Sequence, residues 1–222
     1  MIYLSGCLPS SPHIRKLLLD NNVGLLLTHV SQRNQPSDGK WVWAADNACF
    51  TAQNWDKNAW LRWLESKNDP TSALFATIPD VVGDHAATLK RWPQFQKQVA
   101  ELGYVPAFIL QNGCTANDVP WDECGAVFIG GDTTWKLSEQ AFRIVIEARS
   151  RGHWVHMGRV NSLRRLQIAQ SWGCNSVDGT YLAFGPDVNS IRLIEMMRRI
   201  ASQPALDMFS KSPILSVGCD DD

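Results

Sequence analysis

The feature that most restricts the fold is an eightfold recurrence of short, almost continuously apolar runs, each closed by a polar or glycine-rich tip. The runs are Ile2–Ser5, Gly24–His29, Trp41–Ala45, Ala73–Ile78, Pro106–Leu110, Ala126–Ile129, Trp154–Met157 and Ser176–Asp178. Strands without polar alternation are buried on both faces, as in a parallel sheet covered by helices. The intervening segments supply those helices. Pro12 opens one through Ile14, Leu17 and Leu18, and apolar residues recur at helical spacing in Asn58–Glu65, His85–Leu102, Ser138–Arg151, Ser162–Trp172 and Asn189–Ala201. Ser138, Ser162 and Asn189 read as N-caps, Gly103 and Gly173 as helix stops.

Such alternation with short connections forces right-handed crossovers and a parallel sheet, either open and doubly wound or closed. Eight strands favour closure, so the fold class is α/β, a compact (β/α)8 TIM-type barrel. The 222 residues are few for such a barrel, which typically needs about 250. Two connections without a clear helix, Val30–Lys40 and Asn112–Gly125, account for the economy. The barrel is expected to be a single domain over 1–203, with a tail at 204–222 that ends in the acidic Asp220–Asp222.

A formal charge of −1 and a pI near 6.5 exclude a uniformly basic surface that holds nucleic acid by charge alone, while leaving room for a local patch. The six cysteines, Cys7, Cys49, Cys114, Cys124, Cys174 and Cys219, form no C-x-x-C and no zinc-finger spacing with histidine. Reduced thiols, no metal and no cofactor are therefore expected. Leu4-Ser5-Gly6-Cys7 superficially matches a lipoprotein box but lacks the charged and apolar regions of an export signal. No run reaches the roughly 18–20 apolar residues of a membrane span. A soluble, cytoplasmic protein is expected. Among the ten tryptophans, Trp60 and Trp63 are placed to pack a helix on the barrel, and Trp135 alone is placed to meet a ligand.

In a parallel barrel, chemistry collects at the C-terminal ends of the strands, because those loops share one face. Asp46, Asp80, Gln111, Gly130-Gly131-Asp132, His156-Met157-Gly158-Arg159 and Asp178 fall there. A lone Asp after a strand is more often a helix cap or turn former than a catalyst, but several at corresponding points of one architecture weaken that explanation. Two carboxylates such as Asp46 and Asp178 can divide labour at an anomeric carbon, one attacking and one handling a proton. Asp80, Gln111 and a glycine N–H together are complementary to the Watson–Crick edge of guanine. Gly130 and Gly131 lack Cβ atoms where a flat base would approach, and Phe50 or Met157 could cover its faces.

These segments, in order, resemble the queuine/archaeosine-type tRNA-guanine transglycosylases and their DNA-modifying relatives. The resemblance lies in Ala45-Asp46-Asn47-Ala48-Cys49-Phe50, Pro79-Asp80, Ile109-Leu110-Gln111-Asn112-Gly113, Phe128-Ile129-Gly130-Gly131, Met157-Gly158-Arg159 and Ser176-Val177-Asp178-Gly179, and spans roughly residues 40–185. It implies a glycosyltransferase in which Asp178 is the nucleophile and Asp46 the general acid/base. Asp80, Gln111 and Gly131 would read the base, with Phe50 and Met157 stacking on it. The implied reaction replaces guanine in a polynucleotide with a 7-deazaguanine through a covalent Asp178–glycosyl intermediate.

Members that act on tRNA usually carry Ser-Gly-Gly after the first Asp, where this chain has Asn47-Ala48-Cys49. They also carry a C-terminal zinc subdomain that this sequence does not show. The expectation is therefore closest to the zinc-free phage and genomic-island enzymes of DNA modification, acting in the host cytoplasm if phage-encoded. DNA is the expected partner and tRNA the alternative, with Arg159, Lys136, Arg164 and Arg165 as phosphate contacts. Association as a homodimer or with a partner subunit is left open, and two further readings remain: a non-catalytic subunit that positions nucleic acid for a partner, and a retaining glycosidase, which would have no use for a guanine reader.

Overall fold

The computed structural model describes residues 1–30, 39–49 and 56–202. Eight parallel strands form a closed barrel in sequence order: β1 (Ile2–Ser5), β2 (Val23–Thr28), β3 (Trp43–Asp46), β4 (Ala73–Thr77), β5 (Pro106–Leu110), β6 (Ala126–Ile129), β7 (Trp154–Met157) and β8 (Ser176–Gly179). Pairing of β8 with β1, Leu4 opposite Asp178, closes the ring. Around it lie α1 (Pro12–Leu19), α2 (Lys57–Lys67), α3 (His85–Glu101), the short α4 (Thr133–Lys136), α5 (Glu139–Ser150), α6 (Leu163–Trp172) and α7 (Pro186–Ala201). The expected barrel is present, with strand ends within about two residues of the sequence reading. Of the two helix-poor connections, 112–125 contains only the 3-10 turn Ala116–Asp118. Phe50, residues 31–38 and the tail lie outside the described residues.

Local chemistry starts and stops the helices. Ser11, Asp56, Asp84, Ser138 and Ser162 each accept a backbone N–H of the following turn. Gly173 ends α6 in the left-handed region at φ 76°, where a Cβ would be strained. Asn189 is not a cap: α7 begins three residues earlier, at Pro186, and the Asn189 amide donates to the Tyr181 carbonyl at 3.0 Å. Pro at the first helical position is the stronger start signal, since it lacks an N–H that would go unpaired.

Two apolar layers follow from the period of two along each strand. Tyr3, Leu25, Leu27, Trp43, Phe108, Leu110, Val127, Ile129, Val155, Met157 and Val177 belong to the layer between barrel and helices. Leu4, Leu26, Ala44, Phe75, Ala107, Ile109, Ala126 and Phe128 fill the barrel interior. Trp60 is fully buried and stacks on Trp63, with ring centroids 5.3 Å apart, while Trp43 meets Trp63 edge-on. Those contacts seat α2 on the barrel, as its sequence implies.

This alternation corrects two expectations. Met157 is fully buried on the helix side of β7, so it is not placed to stack on a base at the rim. Trp135 sits on the short α4 with only 9% exposure, beneath Gly131 rather than in an open ligand site. Met157→Ala should therefore destabilise the fold by about 2–5 kcal/mol, as a large-to-small change in a packed layer does. Urea melts check this, and an unchanged midpoint would restore Met157 to the rim.

Candidate active site

The interior layer, through Ile109 and Phe128, floors a cavity whose walls are the next inward positions along the strands. Thr28, Asp46, Ile109, Gln111, Phe128, Gly130 and Asp178 line it, joined by Asp80, Asn47, Gly131, Arg159 and Thr180, and its volume is about 260 Å3. The strand ends thus bring together Asp46, Asp80, Gln111, Gly130, Gly131, Arg159 and Asp178 from the sequence reading. This is slightly below the usual 300–1,000 Å3 range of small-molecule sites, a size suited to one flat ring system.

Asp178 is held on one side only. Its Oδ1 accepts from His156 Nε2 at 3.0 Å and from the Arg159 N–H at 3.2 Å; among the described residues no hydrogen bond engages Oδ2. His156 is fully buried inside the barrel, between Phe128 (ring centroids 4.4 Å apart) and Phe75 (5.2 Å). Its Nδ1 lies 2.8 Å from Ser176 Oγ, which also receives the Trp154 indole N–H at 2.8 Å. An indole only donates, so one direction satisfies every group: Trp154 N–H to Ser176, Ser176 O–H to His156 Nδ1, and His156 Nε2–H to Asp178. The chain fixes both the ring and the carboxylate. Gly158 permits it, because a Cβ there would lie 2.6 Å from the Phe128 ring and 3.2 Å from Asp178 Oδ1.

Asp46 has a different environment. Burial pushes its carboxyl up from 3.8 to about 7; the Ala48 N–H, 2.7 Å from Oδ1, opposes this, and the charges of Asp178 and Asp80 add to it. Two carboxyl groups of one cavity thus differ in surroundings, one held by an imidazole and a backbone N–H and the other desolvated. Ala48 makes its contact from the left-handed region at φ 61°, a conformation glycine adopts with less strain.

Asp80 and Gln111 are bonded to each other. Gln111 Nε2 donates to Asp80 Oδ2 at 2.6 Å, and Asn47 Nδ2 to Oδ1 at 3.2 Å. Gln111 Oε1 accepts the N–H groups of Gly83 (2.9 Å) and Gly131 (3.1 Å). Burial raises the Asp80 carboxyl, opposed by these amide donors. Each carboxylate oxygen keeps a second lone pair for a ligand. The glycine pair is required by the protein itself: a Cβ on Gly130 would meet Ile109 Cγ2 and the Leu110 carbonyl at 2.9 Å, and one on Gly131 would meet Asn112 Oδ1 at 2.6 Å.

The basic residues divide. Arg159 lines the cavity and donates to the Gly131 carbonyl. Arg165 braces it, donating to the Arg159 carbonyl at 3.1 Å, and Arg164 is exposed. Lys136 is not a surface phosphate contact: it is buried, its Nζ donates to the Gly158 carbonyl at 2.5 Å, and burial lowers it to about 8. Asp132 caps α4 and accepts from Asn112, the ordinary role of such an Asp. Sequence reasoning placed His156 on the rim without giving it a role, and passed over Ser176. The period of two carried the signal, since His156 pairs with Ser176 in register and both share the inward phase of Asp178.

Together these features define a (β/α)8 barrel with a carboxylate-lined cavity at the C-terminal ends of its strands. No family model and no curated protein matches the chain. Among solved structures it is similar to a mandelate oxidase mutant with a C4a-OH-FMN adduct, at 12% identity and TM-score 0.57, over 90% of this chain and 72% of that one. Tryptophan synthase from M. tuberculosis matches at 13% and 0.52, over 90% and 91%. The Amycolatopsis orientalis BexX/CysO complex matches at 13% and 0.54, over 89% and 88%. None of these is a tRNA-guanine transglycosylase, and at such identities they show the fold alone. No helix among the described residues is long and apolar enough to cross a membrane.

The Asp46 environment carries a cost with a definite sign. With its carboxyl raised in the folded state, Asp46 favours folding below about pH 4, and that contribution is lost as pH rises through about 7. Asp46→Asn should therefore stabilise the protein by on the order of 3 kcal/mol near pH 8 and have little effect near pH 4. Urea melts at the two pH values test this; an equal effect at both would place Asp46 in a solvated environment.

Proposed function

We propose that the protein is a base-exchanging glycosyltransferase that replaces guanine in nucleic acid, DNA first and tRNA as the alternative, with a 7-deazaguanine. The observation that carries the reading is the pairing of unlike carboxyls on one small cavity: Asp178, oriented by His156 with one oxygen unengaged, and Asp46, raised to about 7. The ordered sequence resemblance supplies the substrate class. Ala48 adds support, since its left-handed backbone falls where tRNA-acting members have the first glycine of Ser-Gly-Gly.

In this reading a flipped or single-stranded guanosine nucleotide enters the cavity. Asp178 attacks C1′, the C1′–N9 bond breaks, and the departing guanine takes a proton from Asp46. The incoming 7-deazaguanine returns a proton to Asp46 from its N9, attacks C1′ and breaks the Asp178 ester. Protons therefore balance over the two displacements, and a group near 7 is suited to both transfers. Asp80 would accept base N–H groups through its remaining lone pairs; the Gly131 N–H, expected to read the base, is instead taken by Gln111, whose second amide hydrogen is the donor left for the base carbonyl. Arg159 is the cation among the described residues that line the cavity and would meet a flanking phosphate.

Incubation with labelled guanine or a labelled 7-deazaguanine, with DNA and tRNA in separate reactions, tests the reading. Label should enter DNA; label in tRNA alone selects the alternative, and label in neither, with no covalent adduct on Asp178, removes the proposal. Asp178→Asn should abolish the adduct. His156→Leu, which removes a hydrogen bond to a charged group worth about 1.5–3 kcal/mol, should slow exchange by roughly 10–100-fold. Asp80→Asn turns an acceptor into a donor and should relax base selectivity, read as competition between guanine and adenine.

A further inference from the structure

A histidine meets a cysteine and an aspartate of a later loop beside the rim. His85 is the first residue of α3, Cys114 lies in the turn after β5, and Asp118 ends the adjoining 3-10 turn. One nitrogen, one sulfur and one oxygen from these side chains all lie within 4.8 Å of one another. His85 Nε2 is 3.5 Å from Asp118 Oδ2. That is long for a hydrogen bond, so the carboxylate lies beside the imidazole without satisfying it.

Two further observations point to a missing ligand. Both ring nitrogens of His85 are buried and make no hydrogen bond, an arrangement that costs free energy unless a partner is present. The Asp118 carboxylate is already oriented, because Thr115 donates to Oδ2 through its N–H at 2.8 Å and its hydroxyl at 2.6 Å, which fills that oxygen and, among the described residues, leaves Oδ1 without a hydrogen bond and open to a cation. Such outer hydrogen bonds are what hold a ligating carboxylate in place. Cys114 is fully buried, with its sulfur 3.5 Å from the Thr115 carbonyl. Its sulfur becomes a strong ligand when a cation displaces the thiol proton.

We propose that His85, Cys114 and Asp118 bind one zinc-class transition-metal ion, with water in the fourth position. A mixed sulfur, nitrogen and oxygen set suits zinc and excludes magnesium or calcium, which take oxygen. Binding forms the sulfur–metal bond and releases the thiol proton to solvent. The ion would join the loop that carries Asp80 and Gly83 to the loop that carries Gln111. It would thus brace the Gly83 N–H to Gln111 contact of 2.9 Å, a structural role independent of the base-exchange reading. Sequence spacing hides the site, since the histidine lies 29 positions before the cysteine and the third ligand is an aspartate.

The test uses the untagged full chain, loaded with Zn2+ or Co2+ alone and passed through gel filtration. About one metal per chain should be retained, and the cobalt form should show tetrahedral visible bands with a near-ultraviolet thiolate-to-cobalt band. Cys114→Ser should lose the near-ultraviolet band, and His85→Gln should weaken metal retention at least tenfold. Should the variants fail to fold, the wild-type cobalt spectrum decides. Retention below about a tenth of an equivalent with no thiolate band overturns the site, as does undiminished retention in folded Cys114→Ser and His85→Gln.

Discussion

Closure of the sheet through the β8–β1 pairing is the constraint on which the rest depends. With the ring closed, every strand has one face toward the helices and one toward a common interior. The interior is filled by Leu4, Leu26, Phe75, Ile109, Phe128 and their neighbours, so a ligand meets a solid floor at the C-terminal ends and not a pore. Each inward position one step further along becomes a cavity wall. Thr28, Asp46, Gln111, Gly130 and Asp178 occupy those steps, which is why residues dispersed over most of the chain face one space.

The interior also supplies the electrostatic asymmetry. His156 and Ser176 interrupt an otherwise apolar barrel, and their hydrogen bonds run from the Trp154 indole to Asp178 without leaving a donor unmatched. A buried polar chain is tolerated when every member is satisfied, and here it holds a carboxylate at the cavity floor. Asp46 has the Ala48 N–H as its nearby donor and lies among other acids, so desolvation dominates. The same fold therefore presents one carboxylate oriented by hydrogen bonds and one desolvated, proton-holding carboxyl.

Around this pair the loops are tied by side-chain amides. Asn47 and Gln111 connect the ends of β3, β4, β5 and β6 through Asp80, the Ile78 carbonyl and the N–H groups of Gly83 and Gly131. The glycines after β6 serve this packing first, since any side chain there would collide with the neighbouring strand or with Asn112. Their value to a ligand is secondary: they leave the wall low. The cluster of His85, Cys114 and Asp118 lies at the same loops, with His85 edge-on to Phe108 of the layer between barrel and helices.

Apolar runs and punctuation already determined the barrel, most helix limits and the rim position of Asp46, Asp80, Gln111 and Asp178, because these depend on local periodicity and on where strands end. The sequence reading erred where orientation or distance mattered. Met157 and Lys136 lie at rim positions along the chain but point into the protein, and Asn189 resembles a cap but lies inside a helix that Pro186 begins. Nothing local announces that His156 will bond Asp178, that Gln111 will bond Asp80, or that His85 will meet Cys114. Those contacts join different strands and loops, and their geometry exists only once closure fixes which way each side chain faces.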